Sequence, residues 1–263
     1  MKVSVTLSMS IRSLVRGRGE FAETNAHLGV WQDSWSPNQV AFPASLLGDK
    51  AVERWLTQHH AVVDVRRFAE LNRALAAGID PSLMTVHCSG FDVAQIWRIA
   101  GLGVGRVVVS SDEHIDAITG RLDSKVHNVI LRIGEATPSG PTRPCPERVF
   151  ARESSAADLA AERVFAHPSL NLIGLHGEIG CAEVDFVSGS AAVGCLMAQM
   201  DLIRRQSGVL LTALSLGTTR QYADETLNRR CAIEIAESVD DACAIFRYPR
   251  PVVSVAVFAS TLE

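Results

Sequence analysis

The sequence predicts an α/β protein built as a single TIM-type (β/α)8 barrel. Eight short apolar runs alternate with helical stretches, and eight such units in about 250 residues are typical of this fold. The runs are rich in Val, Ile and Leu, as expected of parallel strands covered on both faces. With 47% hydrophobic residues, 21% charged residues and a net charge of −4, a mainly disordered chain is excluded. A doubly wound open sheet has the same periodicity and is the alternative fold.

The predicted elements follow one another regularly after residue 38. The predicted strands are Val40–Ala44, Ala61–Val65, Met84–Ser89, Arg106–Ser111, Asn128–Ile133, Leu170–Ile179, Leu210–Leu216 and Val252–Phe258. The predicted helices are Lys50–Gln58, Arg67–Ala77, Val93–Ala100, Asp112–Thr119, Ser155–Ala166, Ser190–Arg205 and Asp224–Ala244. Gly78, Gly101 and Gly208 stand where three of these helices should end.

We expect residues 1–38 to form a lead-in, with a short strand and a helix around Ile11–Glu23, and residues 39–263 to form the barrel. The proline-rich segment Glu135–Glu153 is predicted to be a loop over the barrel top. The sequence predicts no signal peptide and contains no run of about 18 uncharged apolar residues, so we expect a cytoplasmic protein without membrane contact. The six cysteines form no CxxC pair and are expected to be reduced. The small net charge argues against a nucleic-acid partner.

A series of motifs runs through the first two thirds of the chain in a fixed order. They are Asp64-Val65, Ala69-Glu70-Leu71, Ala77-Gly78 to Pro81, His87-Cys88-Ser89, ILRI with Arg132, and LIGLHGEIGC at 172–181. Together they resemble the diaminopimelate decarboxylase family. The resemblance implies a fold-type III barrel like that of alanine racemase, which carries pyridoxal phosphate and is followed by a β-domain. Because the sequence ends soon after the eighth strand, we expect that β-domain to be missing.

The resemblance also implies a cofactor site, and this sequence departs from it at four strand ends. Ser45 stands at the Schiff-base lysine, and a serine cannot form an imine. Glu178 stands where a second histidine would stack on the cofactor ring. The glycine loop for the phosphate is reduced to Gly217-Thr218-Thr219, and Ala256–Ala259 replaces a Glu-Pro-Gly-Arg motif. We therefore expect no cofactor. The degenerate pocket is predicted to contain Ser45, His87, Arg132, His176, Glu178 and Gly217.

Three functions are open on this basis. The first is a pseudoenzyme that binds a small amino-acid-like ligand or a protein, either a second copy of this chain or a full-length decarboxylase. The second is a pyridoxal-phosphate-dependent decarboxylase or racemase with a displaced lysine, for which Lys50 is the nearest substitute. The third is other chemistry by His176, Glu178 and Cys181, the candidate catalytic residues. Together with His87, these residues offer imidazole, carboxylate and thiolate groups, all of which can bind Zn²⁺. Their spacing matches no zinc signature, so the sequence predicts no metal site.

Charged residues in and beside the strands carry further expectations. Asp64 and Arg132 lie inside strands and are expected to be paired in the barrel core; a residual site for an anion or an amino acid is the alternative. Arg66-Arg67 is expected to lie on a solvent-exposed helix face. His176 and Glu178 are expected to share one strand face with Leu172 and Gly174. The apolar residues expected to be exposed at the uncovered barrel mouth, and so to mark an interface, are Phe91, Phe258 and Leu262.

Overall fold

The computed structural model describes residues 21–120, 125–134, 150–151, 156–180, 185–218 and 225–257. The strands are β1 (Gln39–Pro43), β2 (Val62–Val65), β3 (Met84–His87), β4 (Arg106–Val109), β5 (His127–Gly134), β6 (Phe150–Ala151), β7 (Leu170–Ile179), β8 (Ala213–Thr218) and β9 (Val252–Val257). All except β6 form one ring of parallel strands, in the order β1-β2-β3-β4-β5-β7-β8-β9 and back to β1. The closed ring confirms the predicted TIM-type barrel and excludes the open sheet.

Helices follow the strands around the outside of the barrel. They are α1 (Phe21–Ser34), α2 (Lys50–Gln58), α3 (Phe68–Ala76), α4 (Val93–Leu102), α5 (Asp112–Thr119), α6 (Ala156–Phe165), α7 (Gly189–Ser207) and α8 (Glu225–Phe246). Of the helices in the described part of the chain, none is long and apolar enough to cross a membrane.

Local signals explain where several helices begin and end. The Asp49 carboxylate caps α2 by accepting hydrogen bonds from the first backbone N–H groups of the helix. Gly78 and Gly208 adopt φ angles of 76° and 74° just beyond α3 and α7, as predicted for helix stops. Gly101, in contrast, lies inside α4, and Gly103 ends that helix with φ 73°. The left-handed conformation favours glycine, so the stop falls two residues later than predicted.

The main hydrophobic core lies between the outside of the barrel and the helices. Alternate strand residues such as Val63 and Leu175 point outward and are fully buried in this core. The other alternate residues point into the barrel, where Ala41, Val62 and Ala256 form a small separate cluster. Small apolar side chains thus fill part of the barrel interior, and polar side chains occupy its carboxyl end.

The face prediction for β7 is correct for the residues near its carboxyl end but wrong at Leu172. The pairing of β5 with β7 shifts register, because Val129 pairs with Leu172 whereas the next residue, Ile130, pairs with Gly174. One extra residue on β7 therefore reverses the alternation. Leu172 belongs to the outer core, whereas His176 points into the barrel.

The lead-in packs against the barrel through two tryptophans. Trp35 is fully buried, and the Trp31 ring lies 6.2 Å from that of Phe42 on β1. The helix of the lead-in spans Phe21–Ser34, later than predicted, and most of Ile11–Glu23 lies outside the described residues.

Two further expectations at the barrel top need correction. Phe150 and Ala151, predicted as loop, form the short strand β6 beside the end of β5, whereas 135–149 lie outside the described residues. Phe91 is not exposed at the mouth, because it is only 9% accessible and its ring meets that of Phe68 edge-on. Phe258 and Leu262 lie outside the described residues.

Candidate functional site

Polar side chains fill the carboxyl end of the barrel, which is the end where active sites of this fold are found. Strand register sets their places, since Arg132 on β5 pairs with His176 on β7, and His176 pairs with Ser215 on β8. Every one of these side chains is buried. The buried polar residues that meet at this end are Asp64, His87, Arg132, His176, Glu178 and Ser215.

Arg66 spans the mouth and joins two carboxylates. Its Nε donates to Oδ2 of Asp64 at 2.7 Å, and its Nη1 donates to Oε1 of Glu178 at 2.6 Å. The arginine side chain is 18% exposed, whereas the carboxylate side chains are 4% and 3% exposed. The expectation that Arg66 lies on a solvent-exposed helix face was wrong. It follows Asp64 by two residues, so both side chains point into the barrel.

Two histidines contact the carboxylates of this ion-pair network. Nε2 of His87 lies 2.7 Å from Oδ1 of Asp64, and Nε2 of His176 lies 2.9 Å from Oε1 of Glu178. Because an ionised carboxylate only accepts hydrogen bonds, both Nε2 atoms are assigned as donors. Nδ1 of His176 lies 2.9 Å from Oγ of Ser215. The imidazole rings meet edge-on, with their centroids 4.9 Å apart.

Two buried atoms of the His87, His176 and Glu178 side chains have no hydrogen-bond partner among the described residues. They are Nδ1 of His87 and Oε2 of Glu178. Unpaired buried polar atoms are costly and uncommon, so each needs a physical explanation. Since Nε2 of His87 carries the proton, its Nδ1 presents a lone pair.

Burial and ion pairing fix the charges of the cluster. Burial, together with the positive charge of Arg66, lowers the pKa of His87 to about 4 despite the opposing effect of Asp64. Burial alone would raise the pKa of Glu178, but Arg66 and the hydrogen bond from His176 outweigh it, so this pKa lies well below its usual range. The pKa of Asp64 is also lowered, because His87 and Arg66 outweigh the effect of burial. At neutral pH both carboxylates are ionised and His87 is neutral.

Gly217 makes room for the Glu178 carboxylate. The two residues pair across β7 and β8. A Cβ atom built on Gly217 would clash with Oε2 of Glu178 and would lie only 2.5 Å from its Cδ. The Glu178 carboxylate thus occupies the space that a side chain at residue 217 would need.

The described lysines lie away from the barrel interior. Ser45 is half-buried in the short turn that follows β1. Lys50 begins α2 with an 83% exposed side chain, and its Nζ lies 2.5 Å from Oε2 of Glu53. Nζ of Lys125 donates to the carbonyl of Gly101 at 3.2 Å, near the amino end of β5.

The other predicted residues differ in how close they come to the cluster. Nη2 of Arg132 lies 3.9 Å from Oδ1 of Asp185, with both side chains buried, so this strand arginine is paired as expected. Cys181 lies outside the described residues. Cys88 follows β3 and is fully buried, which raises the pKa of its thiol to about 12. A thiol in that state is a poor nucleophile.

Comparison with known proteins identifies the family. The sequence profile described as "Pyridoxal-dependent decarboxylase, pyridoxal binding domain" matches residues 21–255. The chain belongs to this decarboxylase family. Diaminopimelate decarboxylase of Mycobacterium tuberculosis is 32% identical over 177 residues, covering 64% of this chain and 38% of that protein. The enzyme of the same name from Corynebacterium efficiens is 24% identical over 215 residues, covering 77% and 46%. The chain therefore spans less than half the length of these curated relatives.

Solved decarboxylase structures share the fold of the barrel. The diaminopimelate decarboxylase from M. jannaschii superposes with a TM-score of 0.72 at 15% identity, covering 90% of this chain and 59% of that one. The Paramecium bursaria Chlorella virus arginine decarboxylase, in a structure with agmatine, gives a TM-score of 0.69 at 14% identity and covers 91% and 62%. At these identities the likeness concerns the fold alone.

Sequence reasoning missed three residues of the decarboxylase-like mouth. Arg66 carries a usable signal, because it lies two residues after Asp64 at a strand end. Ser215 carries the same signal through its spacing from Gly217 on β8. Asp185 has none, since it lies beyond the end of β7, where strand alternation no longer fixes the direction of a side chain.

Proposed function

We propose that this chain is a decarboxylase-type barrel that does not hold pyridoxal phosphate and acts by binding a small amino-acid-like ligand or a protein partner. The observation that carries this proposal is the Arg66–Glu178 ion pair across the barrel mouth. A buried ion pair of this kind closes the space between β2 and β7 with groups of the chain itself. A ligand can replace this pair only by offering a new partner to both charges, and a phosphate offers one to Arg66 alone.

The lysines in the described part of the chain do not fit a Schiff-base cofactor. Such a cofactor needs a lysine amine within reach of its aldehyde. Ser45 offers a hydroxyl at the matching strand end. Lys50 lies on the outer surface and is paired with Glu53. Lys125 lies near the other end of the barrel. The only other lysine in the sequence, Lys2, lies outside the described residues.

The mouth itself also argues against the cofactor. Glu178 stands where the family resemblance implies a stacking histidine, and its ionised carboxylate would repel a phosphate. The same carboxylate lies over Gly217, the first residue of the shortened glycine loop. Seating the cofactor would therefore require Glu178 to leave Arg66, and breaking a buried ion pair costs about 3–5 kcal/mol.

The family relationship suggests which ligands to test first. The relatives are named for amino acids, diaminopimelate and arginine among them. An α-amino acid carries a carboxylate and an ammonium, and the mouth carries guanidinium groups (Arg66, Arg132) and carboxylates (Asp64, Glu178) that complement these charges. A protein partner is the alternative binding mode, and light scattering with and without amino acids separates the two.

The proposal is tested by titrating the purified chain with pyridoxal phosphate and recording the visible absorption spectrum. We expect no absorption band of a protein imine and no cofactor retained after borohydride reduction and dialysis. Ser45→Lys alone should behave like the unaltered chain, since Arg66 and Glu178 still fill the mouth. The diaminopimelate decarboxylase of M. tuberculosis serves as the positive control.

One result would overturn the proposal. A borohydride-sensitive band whose label maps to Lys50, and which Lys50→Arg abolishes, would make the chain a pyridoxal phosphate protein with a displaced lysine. Lys125→Arg is the matched control, because this lysine is exposed and remote from the mouth.

A further inference from the structure

The cluster of His87, His176 and Glu178 has the composition of a metal site. One donor atom from each residue lies within 4.8 Å of the donor atoms of the other two, and all three residues are buried. Two imidazoles and one carboxylate are a common ligand set for Zn²⁺ and for other first-row divalent ions. In these residues, Nδ1 of His87 and Oε2 of Glu178 are buried and have no hydrogen-bond partner among the described residues.

We propose that His87, His176 and Glu178 form a binding site for a divalent transition-metal ion, with Zn²⁺ as the best-matched member of this class. The inference rests on the proposed function in one respect, since the mouth must be free of pyridoxal phosphate. Three points no more than 4.8 Å apart have a common centre at most about 2.8 Å from each of them, against about 2.0–2.2 Å for a zinc–ligand bond. Small side-chain movements of under about 1 Å therefore complete the site.

Asp64 supports this assignment because it already holds His87 as a metal-binding histidine is usually held. Metal ligands of this kind donate their second ring N–H to a carboxylate, which fixes the tautomer and orients the ring. Nε2 of His87 lies 2.7 Å from Oδ1 of Asp64, so Nδ1 is the nitrogen that remains as donor to a metal. Nε2 of His176 and Oε1 of Glu178 lie 2.9 Å apart; for Nε2 to bind a cation, the ring proton moves to Nδ1, where Oγ of Ser215 lies 2.9 Å away and can accept it.

Arg66 is the group that a cation must displace. In the described mouth the carboxylates Asp64, Glu178 and Asp185 face the guanidinium groups Arg66 and Arg132, so three negative charges meet two positive ones. If a divalent ion enters and Arg66 turns outward, the charges of the mouth balance. Arg66 is the most exposed member of its ion-pair network, which makes this outward movement the least costly one.

The zinc assignment predicts how the Zn²⁺ affinity changes between the unaltered chain and two histidine variants. The chain, prepared without a histidine tag and stripped with a chelator, is titrated with Zn²⁺ against a chromophoric competitor. We expect one ion per chain. His87→Gln, which keeps a donor for Asp64 but removes the metal-binding nitrogen, should weaken binding at least about tenfold. His59→Gln is the matched control, because His59 is exposed just after the end of α2 and stacks on Trp55; the Zn²⁺ affinity of this variant should equal that of the unaltered chain.

The Zn²⁺ affinity of Arg66→Met distinguishes an arginine that competes with the ion from one with a purely structural role. Without the guanidinium, the ion no longer has to displace a positive charge from Glu178, so Zn²⁺ should bind about tenfold tighter or better. Long-range ¹H–¹⁵N spectra of the unaltered chain provide a readout that needs no variant. They should show Zn²⁺ shifting Nδ1 of His87.

Three outcomes are decisive. The inference is overturned if no Zn²⁺ binds, if His87→Gln binds Zn²⁺ as tightly as the unaltered chain, or if the ring nitrogens of His87 do not respond. Any of these without an imine band leaves the cofactor-free proposal standing. An imine band in the pyridoxal phosphate titration overturns the cofactor-free proposal. This result is distinct from the outcome of the Zn²⁺ titration, because the two titrations are read at different wavelengths.

Discussion

Replacing Gly217 by alanine tests whether the Glu178 carboxylate lies where the structure places it. The added methyl group would clash with Oε2 and lie 2.5 Å from Cδ of Glu178. A carbon and a carboxylate oxygen need more than 3 Å between them, so the carboxylate must move by about 1 Å. That movement breaks the 2.6 Å contact with Arg66 and the 2.9 Å contact with His176.

The cost follows from the burial of the pair. Separating a buried ion pair by disabling one partner costs about 3–5 kcal/mol. Because the displaced carboxylate keeps part of its attraction to Arg66, we expect Gly217→Ala to lower the free energy of unfolding by about 3 kcal/mol. For a chain of this size, that loss lowers Tm by roughly 6–12 °C. Urea unfolding followed by circular dichroism measures the first quantity, and differential scanning fluorimetry the second.

Gly194→Ala is the control with the opposite expected sign. Gly194 is exposed on α7, and a Cβ atom built there meets nothing within 4 Å. Alanine in a helix interior is more stable than glycine by about 0.5–1 kcal/mol. The same chemical change should therefore stabilise the chain at this position and destabilise it at Gly217.

A double-mutant cycle gives the refuting result. In a Glu178→Ala background the carboxylate is absent, so Gly217→Ala should cost less than about 0.5 kcal/mol, and the interaction energy of the cycle should account for the rest. If Gly217→Ala costs as much in that background as in the unaltered chain, the methyl group clashes with something else. The placement of Glu178 over Gly217 would then be wrong.

Two further predictions concern parts of the molecule outside the mouth. The Tyr248 hydroxyl accepts a hydrogen bond from the backbone N–H of Leu211 and donates one to its carbonyl, both at 2.9 Å. Tyr248→Phe leaves these buried backbone groups without a partner and should lower the free energy of unfolding in urea by about 1–3 kcal/mol. A loss below about 0.5 kcal/mol would contradict the assignment. Cys88 is fully buried with its pKa raised to about 12, so mass spectrometry after iodoacetamide should find it modified only in denaturant, whereas the half-buried Cys231 should react more readily in the native chain.

The barrel was predictable because its strands are buried on both faces and so stand out as apolar runs. The strand Leu170–Ile179 has the bounds that the sequence indicates. The next strand was placed too early, at Leu210–Leu216, because an apolar run does not show which backbone groups join the sheet. Leu211 is apolar and buried, but its N–H and carbonyl bind Tyr248, so β8 begins at Ala213.

The mouth was only partly predictable, because strand alternation and family resemblance indicate different residues. The resemblance drew attention to Ser45, His176 and Glu178, since these stand at known motif positions. Arg66 was assigned to the surface because arginine pairs usually lie in solvent. Alternation from Asp64 points the other way, and a sequence alone does not show that a carboxylate 112 residues later will meet this guanidinium.

That long-range contact changes how the sequence departures should be understood. Glu178 without Arg66 would be a buried carboxylate lacking its guanidinium partner, and Arg66 without Glu178 would be a guanidinium with only Asp64 to offset it. Either situation carries a desolvation cost of several kcal/mol. The two residues are therefore stable at the mouth as a pair, and the glutamate at the stacking position and the arginine beside Asp64 amount to one linked feature. Reversing Glu178 alone would leave Arg66 under-paired inside the barrel, so under the cofactor-free proposal a cofactor site would need changes after β1, after β2 and on β7 together.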